Sequence, residues 1–274
     1  MKLKVSWALA IALSSVGYAQ SADSVGYIDI DEFDVTSVIE PAPRPGDPRY
    51  EADRAIFRET RSLAGSARYA LATNDVQTGA SAMLQDFSCA VGVTLTPENA
   101  PRLAAVAQRA AIDTGAQVRR AKEIYRRERP YVIDEGPTCQ SPAELFDARE
   151  NRASYDYPSG HSTWGWTWAL VLAGAAPDRA QQVLARGRAY SESRFVCGAH
   201  NHSAAEAGIL AASATMSVVQ TRPAYLADLA AARQELDTLR AAASQTGSAA
   251  DCDREARLVA QRVLPPLAAT PSVP

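Results

Sequence analysis

The sequence predicts an all-α protein that folds as a single-domain helical bundle of eight or more helices. From Tyr50 onward, apolar residues recur every three or four positions, which is the spacing of one face of an α-helix. No segment shows the alternation of apolar and polar residues that is typical of a half-buried strand. The chain has 274 residues and is 47% hydrophobic, so it is long enough to bury one sizeable core.

Residues 1–19 are typical of an export signal. Lys2 and Lys4 precede an apolar run over residues 5–16, and small residues occupy positions −3 and −1 of a cleavage site after Ala19. A membrane anchor is the alternative, but the apolar run is shorter than the roughly 20 residues that span a bilayer. We therefore expect cleavage, with the mature protein in the periplasm or secreted.

The charge of the mature chain argues against nucleic-acid partners. The whole chain has 28 basic and 31 acidic residues; cleavage removes two lysines and leaves 26 basic residues, a net charge of −5. General nucleic-acid binding depends on positive charge. A later apolar segment, residues 163–176, is too short to span a membrane, so no membrane span is expected in the mature protein.

The chain divides into three parts after the signal. Residues 20–49 are proline-rich and are expected to form an extended arm that lies on the surface. Residues 50–246 carry the helical periodicity and form the predicted domain. Residues 247–274 are expected to hold a C-terminal helix and a disordered tail, because prolines recur after Val263.

Helix boundaries within the domain follow from caps and prolines. Thr96 is a typical N-cap followed by Pro97 at the first helical position, and Pro130 disfavours helical geometry at the residue before it. The expected helices are a segment from near Tyr50, residues 80–91, residues 97–128 with a break near Gly115, residues 159–175, a segment opened by Pro177 that carries Arg194, residues 201–219, and a last long helix with Tyr225, Leu229, Ala232, Leu236 and Leu239 on one face.

Four cysteines remain after cleavage, and an even number in an exported protein suggests up to two disulfides. Three pairings are possible and the sequence does not choose between them. Their spacing matches no zinc-binding pattern. The four are Cys89, Cys139, Cys197 and Cys252.

Two basic residues, Lys122 and Arg129, lie about two helical turns apart in the predicted helix, so their side chains would share a face about 10 Å apart at Cα. Long basic side chains at that distance can converge on one anion. The alternative is a solvated basic face, because four further arginines lie nearby: Arg119, Arg120, Arg126 and Arg127.

A second cluster lies where a turn at Pro158 enters a helix. The unpaired N–H groups of a helix N-terminus are a natural anion site. Here Ser159, Gly160 and His161 add a hydroxyl, a backbone free of a side chain, and an imidazole that titrates near pH 6.5. The alternative is a capping turn that happens to contain a histidine.

The third cluster combines Arg194 with His200, a guanidinium and a candidate nucleophile. His200 and His202 could instead form half of a metal site, but no carboxylate-rich motif accompanies them, so no metal is predicted. His202 is interpreted as a neighbour or a surface residue. The three clusters together indicate a site that handles phosphate.

In order, the clusters have the pattern Lys-x6-Arg-Pro, Pro-Ser-Gly-His and Ser-Arg-x5-His. This pattern closely resembles the three-part signature of the bacterial class A non-specific acid phosphatases, of the type 2 phosphatidic acid phosphatase and vanadium haloperoxidase superfamily. The flanking residues 86–90 and 195–199 are similar too, and the resemblance covers about residues 50–239.

The resemblance implies a role for each matching residue. His200 would attack phosphorus and become phosphohistidine, and His161 would protonate the leaving oxygen and later activate water. It implies small organic phosphomonoesters and inorganic phosphate as partners, and no cofactor. Whether the protein forms a homo-oligomer is left open. Lys122, Arg129, Ser159, the N–H of Gly160 and Arg194 would bind the phosphoryl oxygens, supplying the positioning and charge stabilisation that phosphoryl transfer needs.

One position departs from the family pattern. The motif continues from the nucleophilic histidine with three residues and an aspartate, but Ala204 occupies that place here. Glu206 lies about 200° further around a helix and is an awkward substitute. We therefore expect weakened turnover, or a pseudoenzyme that binds phosphate or a partner. The short chain disfavours a vanadate-dependent haloperoxidase, and the lack of a predicted span disfavours a membrane lipid phosphatase.

Overall fold

The protein is a bundle of α-helices, as predicted. The computed structural model describes residues 25–148, 152–242 and 249–264; the expected export signal and most of the expected disordered tail lie outside these ranges. Within them, two short strands, β1 (Phe146–Asp147) and β2 (Arg152–Ala153), form an antiparallel hairpin. The helices are α1 (Pro48–Thr60), α2 (Ala67–Asn74), α3 (Ala80–Val91), α4 (Pro101–Tyr125), α5 (Pro130–Ile133), α6 (Gly160–Ala175), α7 (Ala180–Val196), α8 (His202–Val219), α9 (Pro223–Ala242) and α10 (Ala249–Ala260).

Helix α6 lies at the centre of the bundle and contacts α4, α7 and α8. Glycines allow it to approach α7 closely. A Cβ on Gly165 would lie 2.1 Å from Cδ1 of Tyr190, and one on Gly187 would lie 2.4 Å from Cβ of Ala169. Although α6 is apolar, none of the helices in the described ranges is both long and apolar enough to cross a bilayer.

A third glycine sets the position of the predicted site. A Cβ on Gly208 of α8 would lie 2.7 Å from the carbonyl oxygen of Ser159, so any larger residue would push α8 away from the start of α6. The backbone N–H of Ser159 also donates to the carbonyl of Ala204 at 2.8 Å. The first turn of α6 and the first two turns of α8 are thus held together.

The main core lies between α3, α4, α6, α7 and α9. Trp168, Leu172, Phe87 and Leu103 are fully buried in it, each stabilising the fold by about 1.5–3 kcal/mol. A smaller apolar cluster contains Val35 of the N-terminal segment. The core therefore explains the apolar periodicity of the sequence.

The N-terminal segment is attached to α4 by hydrogen bonds. Asp113 accepts from the backbone N–H of Tyr27 at 2.7 Å, and Oε1 of Gln117 accepts from that of Val35 at 3.1 Å. Gln117 also donates to the carbonyl of Phe33 at 2.6 Å. The division of the chain into an arm, a domain and a C-terminal part stays a prediction.

Several helix boundaries were predicted closely, but the predicted start of α4 was wrong. Helix α3 has the predicted bounds, and Ser159 is the N-cap of α6. Thr96 and Asn99, however, exchange hydrogen bonds across a separate turn, with Thr96 N–H donating to Oδ1 of Asn99 at 2.7 Å. Pro101 occupies the first position of α4, and the helix continues through Gly115 without a break.

The end of α4 was also predicted wrongly. The helix ends at Tyr125, where Arg126 adopts a left-handed conformation (φ 48°), well before Pro130. Arg129 is therefore outside α4 and precedes α5 instead of sharing a helix face with Lys122. The two side chains reach the same site from different elements.

The pairing of the cysteines, which the sequence left open, follows from the fold. Cys89 of α3 lies next to Cys252 of α10, with a Cα–Cα separation of 5.3 Å. Cys139 lies next to Cys197 at the end of α7, at 4.9 Å. Both separations suit a disulfide. The first pair lies between α3 and α10, and the second lies between the loop after α5 and the end of α7.

Candidate active site

The predicted site residues meet where α6 begins and α7 ends. Nη1 of Arg129 lies 3.1 Å from Nε2 of His200. The Lys122 ammonium donates to the carbonyls of Tyr155 and Asp156, the second at 3.3 Å. His161 and Arg194 are close enough for their charges to interact. Three cations and two imidazoles thus surround one point.

The tautomer of His200 follows from its partners on both sides. Nδ1 lies 2.8 Å from the carbonyl oxygen of Asp156 and 3.0 Å from Oδ1 of the same residue. Both oxygens only accept, so Nδ1 carries the proton. Nε2 faces a guanidinium N–H of Arg129, which only donates. Nε2 therefore presents its lone pair to the site, as a nucleophile must.

His200 stays neutral in this environment. It is 2% exposed, and burial lowers its pKa well below the ordinary value. The nearby charges of Arg129, Lys122 and Arg194 lower the pKa further, while the hydrogen bond to Asp156 acts in the opposite direction. An unprotonated Nε2 is thus maintained under mildly acidic conditions.

Arg129 is held in one orientation by backbone and side-chain oxygens. Nε donates to the carbonyl of Ser154 at 2.7 Å, Nη2 donates to Oγ of Ser154 at 2.8 Å, and Nη1 donates to the carbonyl of Ala199 at 2.6 Å. Ser154 follows β2, and its N–H and hydroxyl both donate to the carbonyl of Leu145. The small hairpin therefore positions the guanidinium.

Arg194 is a buried guanidinium with unused donors. Its Nη2 donates to Oε1 of Gln140, but among the described residues no acceptor lies within hydrogen-bond distance of Nε or Nη1. Burial lowers the pKa of Arg194 to about 10, and the charge of Arg129 contributes. A buried cation with two unpaired N–H groups is costly unless an anion binds it.

The first turn of α6 presents hydroxyl and backbone donors. Oγ of Ser159 accepts from the N–H of Ser162 at 3.2 Å and caps the helix. Ser159 is fully buried, and its own O–H can still donate to a ligand. A Cβ on Gly160 would meet no atom within 4 Å, so there is room beside the helix N-terminus for a phosphoryl group.

His161 lies on the same turn. Its Nε2 is 3.1 Å from the carbonyl of Val76, which fixes the Nε2–H tautomer and leaves Nδ1 to exchange protons. Burial lowers the pKa of His161 well below the ordinary value, and the charges of Arg194 and Arg129 add to this effect. An added negative charge in the site would therefore favour protonation of Nδ1.

Comparison with known proteins identifies the family. The model of the PAP2 superfamily matches residues 103–226. An acid phosphatase of Zymomonas mobilis subsp. mobilis is 37% identical over 203 residues, which cover 74% of this chain and 75% of that protein. The chain belongs to the acid phosphatases of the PAP2 superfamily.

Two further relatives support the assignment. A non-specific acid phosphatase of Salmonella typhimurium is 33% identical over 220 residues, covering 79% of this chain and 86% of that protein. A non-specific acid phosphatase of Providencia stuartii is 29% identical over 209 residues, covering 76% and 83%. The predicted family and its class of enzyme are confirmed.

The residues that follow His200 in the sequence make structural contacts. His202 is partly exposed, stacks edge-on against Phe195 and lies 3.5 Å from Glu206. Ala204 is fully buried in an apolar cluster. In the described part of the chain, no three His, Cys, Asp or Glu side chains are grouped so that they could hold a metal ion.

The residues that hold the predicted site residues in place were not predicted from the sequence. Asp156 contacts His200, Gln140 contacts Arg194, and Ser154 contacts Arg129. Asp156 precedes the Tyr-Pro-Ser-Gly-His segment directly, so a carboxylate beside the motif was a usable signal. Gln140 and Ser154 lie in loop-like sequence without a comparable signal.

Proposed function

We propose that this chain is an exported acid phosphatase that hydrolyses phosphate monoesters with broad specificity through a phosphohistidine at His200. One observation carries the proposal: the unprotonated Nε2 of His200 lies among Lys122, Arg129 and Arg194. A nucleophile surrounded by cationic donors suits attack on a phosphate ester, because the charge on the phosphoryl oxygens is stabilised throughout.

In the first step Nε2 attacks phosphorus, the N–P bond forms, and the P–O bond to the alcohol breaks. Nη1 of Arg129 transfers its hydrogen bond from Nε2 to a phosphoryl oxygen. The unpaired donors of Arg194, the Ser159 hydroxyl, the N–H of Gly160 and the ammonium of Lys122 bind the remaining oxygens. His161 donates a proton from Nδ1 to the leaving oxygen, so that the alcohol departs neutral.

In the second step water attacks the phosphohistidine. Nδ1 of His161, now neutral, accepts a proton from the water as its oxygen bonds to phosphorus, and the N–P bond breaks. Inorganic phosphate leaves and His200 regains its lone pair. His161 is then protonated as it was in the substrate complex, and it releases this proton when phosphate leaves.

The bound ester also raises the low pKa of His161. The negative charges of the ester offset those of Arg194 and Arg129, which lower the pKa of His161 in the free enzyme. His161 therefore takes up a proton when substrate binds. This coupling favours catalysis at mildly acidic pH.

Two features support export and broad specificity. The N-terminal 19 residues have the pattern of an export signal, and the paired cysteines suit an oxidising compartment. The side chains identified in the site address the phosphoryl group. An enzyme that recognises mainly this group accepts many alcohols.

Hydrolysis of p-nitrophenyl phosphate at pH 5–6 tests the proposal. We expect turnover by the natural protein and a loss of at least about 10³-fold in kcat for His200→Ala. His202→Ala is the matched control, because His202 is the next histidine in the chain and pairs with Glu206 outside the site; it should keep kcat within about twofold. Phosphate binding without turnover would identify a pseudoenzyme and overturn the proposal.

A further inference from the structure

We propose that Asp156 is the positioning residue for His200 and takes the role that the family motif gives to the residue at position 204. This inference depends on the proposed function in that His200 is the nucleophile. The deciding contact joins Oδ1 of Asp156 to Nδ1 of His200 at 3.0 Å. The Asp156 and His200 side chains are 0% and 2% exposed, so this hydrogen bond is shielded from bulk solvent.

The carboxylate of Asp156 is itself held in place. Its Oδ1 accepts from the backbone N–H of Asn201 at 3.1 Å, and its Oδ2 accepts from Nδ2 of Asn201 at 2.7 Å. Nε of Arg127 lies 3.7 Å from Oδ2, and the N–H of Asp156 donates to the carbonyl of Arg127 at 2.8 Å. Both oxygens are engaged, so the carboxylate cannot turn away from the imidazole.

The segment that carries Asp156 connects the parts of the site. Lys122 donates to the carbonyls of Tyr155 and Asp156, and Ser159 and His161 follow within five residues. The aspartate therefore moves together with the phosphate-binding turn, whereas a residue at position 204 belongs to α8. One segment orients both catalytic imidazoles.

Position 204 contributes to this arrangement through its small size. Ala204 is fully buried in the same apolar cluster as Tyr157, and its carbonyl accepts from Ser159. The methyl group lets the 155–159 segment pack against α8. A carboxylate at Ala204 would be buried in this apolar space, whereas the carboxylate of Asp156 has polar partners on both oxygens.

A carboxylate beside Nδ1 suits the chemistry of the reaction. When Nε2 bonds to phosphorus, the His200 ring becomes positively charged among Lys122, Arg129 and Arg194, which oppose that charge. Asp156 offsets this repulsion and holds the proton on Nδ1. In serine proteases, replacing the corresponding aspartate with an amide costs about 10⁴-fold in rate. Here the Asp156 carbonyl also accepts from Nδ1, so we expect a smaller loss.

The test compares Asp156→Asn with Asp53→Asn, a matched control. Asp53 is also buried and pairs with Arg127 at 2.8 Å and with Ser203, but it does not contact His200. We expect Asp156→Asn to lower kcat by about 10²- to 10³-fold with KM changed less than about threefold. Asp53→Asn should lower the melting temperature and leave kcat within about threefold. Equal kcat values in the two folded variants would overturn the proposal.

Two readouts separate positioning from structural damage. ¹⁵N NMR of His200 should show an Nδ1-protonated ring in the natural protein and a mixture of tautomers in Asp156→Asn. Adding Ala204→Asp to Asp156→Asn should recover at least tenfold in kcat. An unchanged tautomer together with failure of this rescue would contradict the role of Asp156.

The NMR arm also distinguishes failure of this inference from failure of the proposed function. If the natural protein does not turn over, the tautomer still reports whether Asp156 orients His200. If Asp156→Asn does not fold, Asn201→Ala loosens the same carboxylate and should lower kcat by about three- to tenfold, with a matching tautomer change. Natural kcat and tautomer in that variant would contradict the proposal.

Discussion

Arg186 and Arg194 lie about two turns apart on α7, and both are fully buried, yet their surroundings differ. Arg186 donates to Asp75 at 2.6 and 3.3 Å and to the carbonyl of Asp86 at 3.0 Å. Arg194 has one side-chain partner, Gln140, and two donors without a partner among the described residues. The same residue type on one helix is neutralised in one place and left as an unpaired cation in the other.

The pKa values of the two arginines move in opposite directions. Burial acts to lower the pKa of Arg186, but the charges of Asp75 and Asp86 outweigh it, so the net direction is upward. Burial lowers the pKa of Arg194 to about 10, and the charges of Tyr190 and Asp75 offset this only in part. Arg186 therefore stabilises the fold, whereas Arg194 is costly to the fold and is suited to an anionic substrate.

Arg194→Met should give the largest functional effect. We expect kcat/KM to fall by about 10³- to 10⁵-fold, because a guanidinium that stabilises the transferring phosphoryl group is lost. The free energy of unfolding should change by no more than about 1 kcal/mol, since the lost guanidinium has no carboxylate partner in the free protein. If this variant kept the activity of the natural protein, Arg194 would not have the phosphate-binding role that distinguishes it from Arg186.

Arg186→Met should give the largest effect on stability. It leaves Asp75 buried without its guanidinium partner, and breaking a buried ion pair in this way costs about 3–5 kcal/mol. Chemical denaturation measures the loss. The fraction that stays folded should retain kcat within about fivefold; a loss of activity as large as that of Arg194→Met would contradict the division of roles.

Asp86, which lies beside Arg186, makes the stability of the protein depend on pH. Burial raises its pKa to about 7, against the opposing charge of Arg186, whose guanidinium is engaged mainly by Asp75. Between pH 4, near the ordinary pKa of an aspartate, and about pH 7, the folded protein binds a proton at Asp86 that the unfolded chain does not bind. The contribution of Asp86 to stability is therefore complete below this window and is lost as pH rises through it.

From pH 4.5 to 7.5 the contribution of Asp86 should lower stability by about 3 kcal/mol, and we expect this as the difference between the natural protein and Asp86→Asn over that range. Urea unfolding at a series of pH values checks this. Asp178→Asn, which alters an exposed ion pair with Arg240, is the control and should leave the slope unchanged. Equal slopes in the natural protein and Asp86→Asn would show that Asp86 is ionised in the folded state.

The smallest effect concerns the pH dependence of activity. Burial and nearby cations lower the pKa of His161 in the free enzyme, and bound ester raises it again. Because protonated His161 is the acid, activity is lost as pH rises through its pKa. The basic limb of kcat should therefore lie about one pH unit above that of kcat/KM, measured with p-nitrophenyl phosphate. Coincident limbs would contradict this coupling.

Much of the fold could be predicted because local signals were consistent. The bounds of α3 and the Ser159 cap of α6 follow from apolar spacing and a capping hydroxyl. The start of α4 could not, because Pro97 and Pro101 both suit a first helical position, and the choice depends on the turn closed by Thr96 and Asn99. Arg126 ends α4 in a left-handed conformation without a glycine to signal it.

The site was predictable where its residues touch the phosphoryl group and not where they support one another. His161 and His200 stand in short local patterns. The contact of Asp156 with His200 joins residues 44 positions apart, and that of Arg194 with Gln140 joins residues 54 apart. Such contacts depend on the packing of α6, α7 and α8, which no local spacing encodes.

Trapping of the phosphoenzyme tests the central claim most directly. The natural protein is mixed with ³²P-labelled phosphomonoester, quenched in alkali within milliseconds and mapped by peptide analysis. The account predicts an acid-labile, base-stable label on His200 that is absent from His200→Ala and retained in His202→Ala. Turnover without label on His200, or label on another residue, would contradict it.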